Sequence, residues 1–110
     1  MSLGVDVVDV ARFRALVARK PGVVARFFTE DERAYCAAAP DPALRLAGTF
    51  AAKEAVMKAL SLTPAPAWAR RIPIRREASG RPVAVVESIG PVAVSISHDG
   101  PVAVAVALAP

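Results

Sequence analysis

The chain has 110 residues, with 14 Lys+Arg against 10 Asp+Glu for a net charge of +4; 55% of it is hydrophobic but only 5% aromatic. That length fits one domain over residues 1–110, with a thin core of Val, Ala and Leu that a subunit interface would extend. The lone Cys36 excludes an intrachain disulfide and a cysteine-based metal site, while the basic excess favours nucleic acid, a phosphorylated ligand or an acidic protein as partner.

Leu3 to Val8 is an apolar run broken by Asp6, the pattern of a buried strand carrying one polar side chain. The same carboxylate argues against a secretory signal, and no run of about 18 apolar residues occurs, so the expectation is a soluble cytoplasmic protein with no membrane partner. Asp9 is a cap for a helix whose apolar residues Val10, Phe13, Leu16 and Val17 recur at helical spacing; Lys20-Pro21-Gly22 ends it. Thr29-Glu30-Asp31-Glu32 has the form of a capping box and predicts a second helix running to about Ala38. Asp41-Pro42 opens the longest helix, to Leu60, and Pro64, Pro66 and Pro73 forbid its continuation, leaving Leu62 to Pro66 as a loop. Beyond it, short β-type runs at Ile72–Arg76, Val83–Glu87, Val92–Ser97 and Val102–Leu108 are separated by turn signals. The expected class is α+β: an N-terminal strand and helices, with a long central helix packed on an antiparallel meander.

Phe50, Glu54 and Lys58 are spaced by four along one stripe of the long helix, flanked by Ala51 and Ala55. Glu and Lys at this spacing form an ordinary surface pair contributing about 0.2–0.5 kcal/mol; alanine neighbours, however, point to close packing of a face that still carries Lys53, Glu54 and Lys58. Asp6 needs a partner, water or a metal to be tolerated in an apolar strand. If that strand lies on the long helix, Asp6 and Glu54 converge on one cation. A set of two carboxylates without His or Cys suits Mg²⁺, which takes its other ligands from water and substrate phosphates, and Lys53 and Lys58 are at hand to neutralise phosphate charge.

Ser95-Ile96-Ser97-His98-Asp99 ends a strand at a glycine turn. Adjacent Ser, His and Asp do not reach the mutual geometry of a hydrolytic triad; a phosphate contact and a plain β-turn both fit the segment. Arg70, Arg71, Arg75, Arg76 and Arg81 make a dense basic cluster with Trp68 as its one aromatic neighbour, short of the aromatic interleaving of single-strand binders. A solvated face and a phosphate or acidic-protein surface remain open for it.

Gly4-Val5-Asp6-Val7-Val8-Asp9 with Arg12, then Phe50-Ala51-Ala52-Lys53-Glu54-Ala55 with Lys58-Ala59, then Ser95-Ile96-Ser97-His98, together resemble the holo-acyl-carrier-protein synthase family of 4′-phosphopantetheinyl transferases. Arg26-Phe27-Phe28-Thr29 and Gly80-Arg81-Pro82 extend the likeness over nearly the whole chain. The resemblance implies a Mg²⁺-dependent homotrimer that transfers phosphopantetheine from coenzyme A to a serine of an acyl carrier protein of fatty-acid or polyketide synthesis. It implies Asp6 and Glu54 as metal ligands, Lys58 on the coenzyme pyrophosphate, and Glu54 as a candidate for helping to deprotonate the carrier serine. Ser97 and His98 would approach the 3′-phosphate from a neighbouring subunit, and Arg12, with Arg14 as helper, would meet the carrier.

Three places depart from the family pattern. Thr49 stands where relatives usually have a basic residue, Ser61-Leu62-Thr63-Pro64 replaces a glycine-rich loop, and Glu87 to Pro91 leaves room only for a turn where relatives generally have a helix. A relative that has lost transfer activity and only binds carriers would show the same departures and would form no adduct. A small basic nucleic-acid-binding module would instead hold nucleic acid in a salt-sensitive way even after Glu54→Gln. The transferase reading expects no nucleic acid.

Overall fold

The computed structural model describes residues 1–62 and 66–110. Its elements in chain order are β1 (Ser2–Asp9), α1 (Val10–Arg19), α2 (Gly22–Phe27), α3 (Glu30–Ala37), α4 (Pro42–Ala59), α5 (Pro66–Ala69), β2 (Ile74–Arg76), β3 (Pro82–Val86), β4 (Gly90–Asp99) and β5 (Val102–Ala109). The strands form one antiparallel sheet in the order β1-β5-β4-β3-β2, so the meander is closed on one side by the N-terminal strand.

The caps expected from sequence are in place. Asp9 accepts from the Arg12 amide at 2.8 Å, Asp41 accepts from the Leu44 amide at 3.3 Å, and Thr29 and Glu32 exchange bonds in a capping box. Two helices were not anticipated, α2 and α5. Pro21 was read only as a terminator, but it also stands at the N-cap of α2, where its missing amide hydrogen costs nothing. The four residues of α5 are too few to carry a periodicity. Part of the expected loop from Leu62 to Pro66, residues 63–65 with Pro64, lies outside the described residues. The segment after β3 is the short turn expected, with Ile89 bonded back to Val86 at 3.1 Å.

Small residues bring α4 onto the sheet. Ala47, Ala51, Ala55 and Ala59 recur at i, i+4 along its inner side, and Ala103, Ala105, Ala107 and Ala109 alternate along β5; all are buried. Gly4 on β1 completes this contact. A methyl added there would strike the Ala55 carbonyl oxygen and lie 2.7 Å from the Ala59 amide nitrogen, both of them backbone atoms that cannot swing aside. Gly4→Ala is therefore expected to cost about 1–3 kcal/mol or more by forcing β1 off α4; thermal unfolding checks it, and an undiminished melting temperature would contradict the packing.

The expectation of a buried first strand is corrected here. Gly4 and Val8 face α4 and are buried, but Leu3, Val5 and Val7 are 72%, 52% and 61% exposed on the other face. Val106 and Leu108 of neighbouring β5 are exposed beside them. Two adjacent strands thus carry a continuous apolar outer surface.

Candidate active site

The contact between β1 and α4 sets the chemistry at the sheet edge. Asp6 shares the helix-facing side of β1 with Gly4 and Val8, and its side chain is 17% exposed. One turn apart on α4, Glu54 and Lys58 lie outside the alanine-lined face, Glu54 half-buried and Lys58 exposed. The Lys58 ammonium donates to Asp6 Oδ1 and to the Val5 carbonyl, both at 3.0 Å. Burial, and after it the negative charge of Asp6, push the Glu54 carboxyl above the usual glutamate pKa, with Lys58 partly offsetting them. Asp6, distant in sequence, is thus bonded to Lys58 and close enough to Glu54 for their charges to act on each other, so the three make one cluster. Among the described residues no group of three or more His, Cys, Asp or Glu side chains is arranged to hold a metal ion; this pair of carboxylates offers only oxygens and leaves most positions of an ion to other ligands.

Lys53 does not join them, and its expected role as a cofactor contact is corrected. Its side chain is 1% exposed and its ammonium is consumed inside the protein, by Glu32 Oε1 at 2.8 Å and by the carbonyls of Ala69 and Ile72 at 2.6 and 3.1 Å. Glu32 in turn accepts from the amides of Thr29 and Ile74, each at 2.7 Å. The pair ties α3, α4, the end of α5 and the start of β2 together. Burial lowers the Lys53 pKa while Glu32 opposes that shift. Glu32 had been read only as a cap; a lysine set among buried alanines of α4 was the signal that an interior carboxylate had to exist.

Arg12 is exposed on α1. Arg14 is occupied instead: its guanidinium grips both oxygens of Asp41 at 3.0 and 2.9 Å, bracing α1 against the start of α4. This contact holds the Asp41 carboxyl below its ordinary pKa and raises that of Arg14. Helping Arg12 with a carrier is therefore not the contact Arg14 makes in this fold.

Ser97 and His98 are not brought to Asp6 within one chain. Strand β5 separates β4 from β1, and the two residues point to opposite faces of β4. His98 lines a separate cleft of about 360 Å³ with Tyr35, Asp41, Arg45, Gly48 and Arg76. The arginine cluster is likewise divided. Arg71 rests on Trp68 at 5.8 Å, Arg76 on Tyr35 at 4.8 Å, and Arg75 and Arg76 alternate across β2, so no single basic face forms. Tyr35 and Arg45 carried no sequence signal, because their neighbours come from separate elements.

A family model described as the 4′-phosphopantetheinyl transferase superfamily matches residues 2–107. The holo-[acyl-carrier-protein] synthase of Micrococcus luteus is 42% identical over 120 residues, covering 99% of this chain and 90% of that protein. The one from Moorella thermoacetica is 38% identical over 118 residues, covering 98% and 92%. Among solved structures, the Helicobacter pylori holo-[acyl-carrier-protein] synthase in complex with coenzyme A superposes with a TM-score of 0.86 at 29% identity, covering 98% of this chain and 99% of that one. The Neisseria meningitidis synthase gives 0.87 at 27% identity, covering 99% and 97%.

Proposed function

The chain belongs to the 4′-phosphopantetheinyl transferase superfamily, and from that premise we propose how its own residues carry the reaction. It transfers the 4′-phosphopantetheine group of coenzyme A to a serine of an apo-acyl carrier protein, giving holo-carrier protein and 3′,5′-ADP. We read residues 1–110 as one transferase domain, in keeping with the match over 2–107.

The observation that carries the assignment of the site is the Asp6–Glu54–Lys58 cluster at the β1–α4 contact. Its donor set fits Mg²⁺: two carboxylates without imidazole or thiolate, one of them reluctant to ionise beside the other, a cost that a dication offsets. Bound there by Asp6 and Glu54, Mg²⁺ would supply neutralisation of the pyrophosphate charge. Lys58 adds a cation at the same edge and steadies negative charge on the transferring phosphoryl group. Glu54, beside the phosphoryl group that such an ion would hold, is also the carboxylate that helps to take up the carrier serine proton. Positioning and electrostatics do most of the remaining work.

The test is to incubate the protein with coenzyme A, Mg²⁺ and apo-carrier proteins and to weigh each carrier. A phosphopantetheine adduct that vanishes with Asp6→Asn and on chelation of the divalent ion supports the reading; no adduct on any carrier would leave a fold without its activity.

The exposed apolar face of Leu3, Val5, Val7, Val106 and Leu108 supports assembly as a homotrimer, with the His98 cleft of one subunit serving the carboxylate cluster of the next. Val7→Glu would bury a charge in that interface. Analytical ultracentrifugation is expected to find a trimer for the parent and monomer for the variant, with transfer at least tenfold lower; a parent that sediments as a monomer would refute the assembly.

Arg12 meets the carrier in this reading. Arg12→Glu is expected to raise the KM for carrier about tenfold while coenzyme A affinity is kept; equal loss of both would count against the assignment. The site of action is the cytoplasm, a reducing compartment that suits the free Cys36, and no helix of the described residues is long and apolar enough to cross a membrane.

A further inference from the structure

Gly4 differs from the other glycines in what surrounds it. Among the described residues, a methyl at Gly22, Gly80, Gly90 or Gly100 would meet nothing within 4 Å, and at Gly48 only the side-chain tip of Ile96, at 2.9 Å. At Gly4 it would meet backbone, the Ala55 carbonyl oxygen and the Ala59 amide nitrogen, and the φ of Gly4 is not positive. Closeness, not backbone conformation, reserves the position for glycine.

The two atoms it touches belong to one hydrogen bond of α4, because in an α-helix the amide of residue i+4 donates to the carbonyl of residue i. Glu54 immediately precedes the acceptor residue and Lys58 the donor residue, so Gly4 rests on the turn that carries both. Asp6 follows two residues later on the same face of β1, about 7 Å along the strand. Between them the Val5 carbonyl accepts from Lys58 at 3.0 Å. Ala107 is the cross-strand partner of Gly4 and is fully buried on the same face, so β5 contributes to the spacing as well.

The three side chains of the cluster differ in how far they can follow a displaced strand. A methyl at Gly4 lies 2.7 Å from the Ala59 nitrogen, and an ordinary van der Waals separation of about 3.5 Å requires β1 to retreat by about 1 Å. The long stem of Lys58 can follow that retreat. Asp6 has a single methylene, and Mg²⁺ demands near-ideal octahedral geometry with oxygens at about 2.0–2.1 Å. We propose that Gly4 is a positioning residue of the reaction: by letting β1 rest on the turn from Ala55 to Ala59, it sets the span at which one divalent ion engages both Asp6 and Glu54. The inference rests on the metal reading above.

The test uses Mn²⁺, which shares the oxygen preference of Mg²⁺. Electron paramagnetic resonance reads the protein-bound ion, with and without coenzyme A, in the parent, Gly4→Ala, Ala107→Val and the control Val92→Ala. Val92 is buried on β4, which β5 separates from β1, so truncating it costs stability without spreading β1 from α4. Gly4→Ala is expected to weaken Mn²⁺ binding about tenfold, as for loss of the support behind a metal ligand, and Ala107→Val by a smaller factor, with transfer falling in the same order. Val92→Ala should melt below the parent yet bind Mn²⁺ at the parental affinity. Parental affinity in a folded Gly4→Ala, or equal weakening in Val92→Ala, overturns the proposal. Should Gly4→Ala fail to fold, Ala107→Val decides: weakened binding supports the proposal and parental binding overturns it. If the parent binds no Mn²⁺ in either condition, the metal reading fails, and crystal structures of the parent and the folded variant decide whether Gly4 sets the span. Cα atoms of Asp6 and Glu54 about 1 Å further apart in the variant support it; an unchanged separation sinks it.

Discussion

Glu54→Gln is expected to lower transfer by about a hundredfold to a thousandfold, the loss typical of removing one group that meets developing charge, and yet to leave a more stable apoprotein at neutral pH. The two effects share one cause. Glu54 is kept half-buried beside Asp6, and both burial and that neighbour raise its pKa in the folded chain. A carboxyl whose folded pKa is raised favours folding below its unfolded pKa and loses that contribution as pH rises through the folded value. Ionised Glu54 is therefore a cost to the apoprotein above the glutamate range, and the amide removes it. In the parent, the melting temperature should fall as pH rises across that window and recover when Mg²⁺ is added; in Glu54→Gln both responses should shrink. Carrier mass and thermal unfolding from pH 4 to 8, with and without Mg²⁺, read out the two halves. A variant that keeps full transfer, or that melts below the parent at neutral pH without the ion, contradicts the role given to Glu54.

Such a balance explains which parts of the site were legible in the sequence. Asp6 stood out because a carboxylate breaks an apolar strand, and Glu54 and Lys58 because they share a helix stripe flanked by Ala51 and Ala55. Their meeting depends on small residues that are just as visible: Gly4 and the alanines of α4 and β5. Caps at Asp9, Thr29 and Asp41 gave helix starts correctly because each is a local hydrogen bond. What stayed hidden is non-local or too short. Glu32 reads as a cap from its neighbours in sequence, and its second oxygen is engaged by the Ile74 amide 42 positions away. The exposure of Leu3, Val5 and Val7 was missed because an apolar run looks the same whether a sheet face is covered by a helix or left exposed.

Lys53→Met is expected to cost about 3–5 kcal/mol of folding stability, the range for breaking one partner out of a buried ion pair. Methionine nearly fills the volume of lysine but gives no donor to Glu32, Ala69 or Ile72, three acceptors within 3.1 Å of the ammonium. The Glu32 carboxylate would then remain buried with only the Thr29 and Ile74 amides to balance its charge. Against a total stability of about 5–15 kcal/mol for a domain of ordinary size, that brings the chain close to unfolding. Glu32→Gln added to Lys53→Met removes the stranded charge, so the double variant is expected to recover part of the loss, a coupling that a double-mutant cycle in urea measures. Function supplies the second readout. Lys53 precedes Glu54 but is turned inward, so the folded fraction of Lys53→Met should keep the parental KM for coenzyme A and lose only yield and melting temperature. A stable variant with a raised KM would return Lys53 to the coenzyme; an unstable one with KM unchanged keeps it where the buried pair has it, as the tie that holds α5 and β2 against α4.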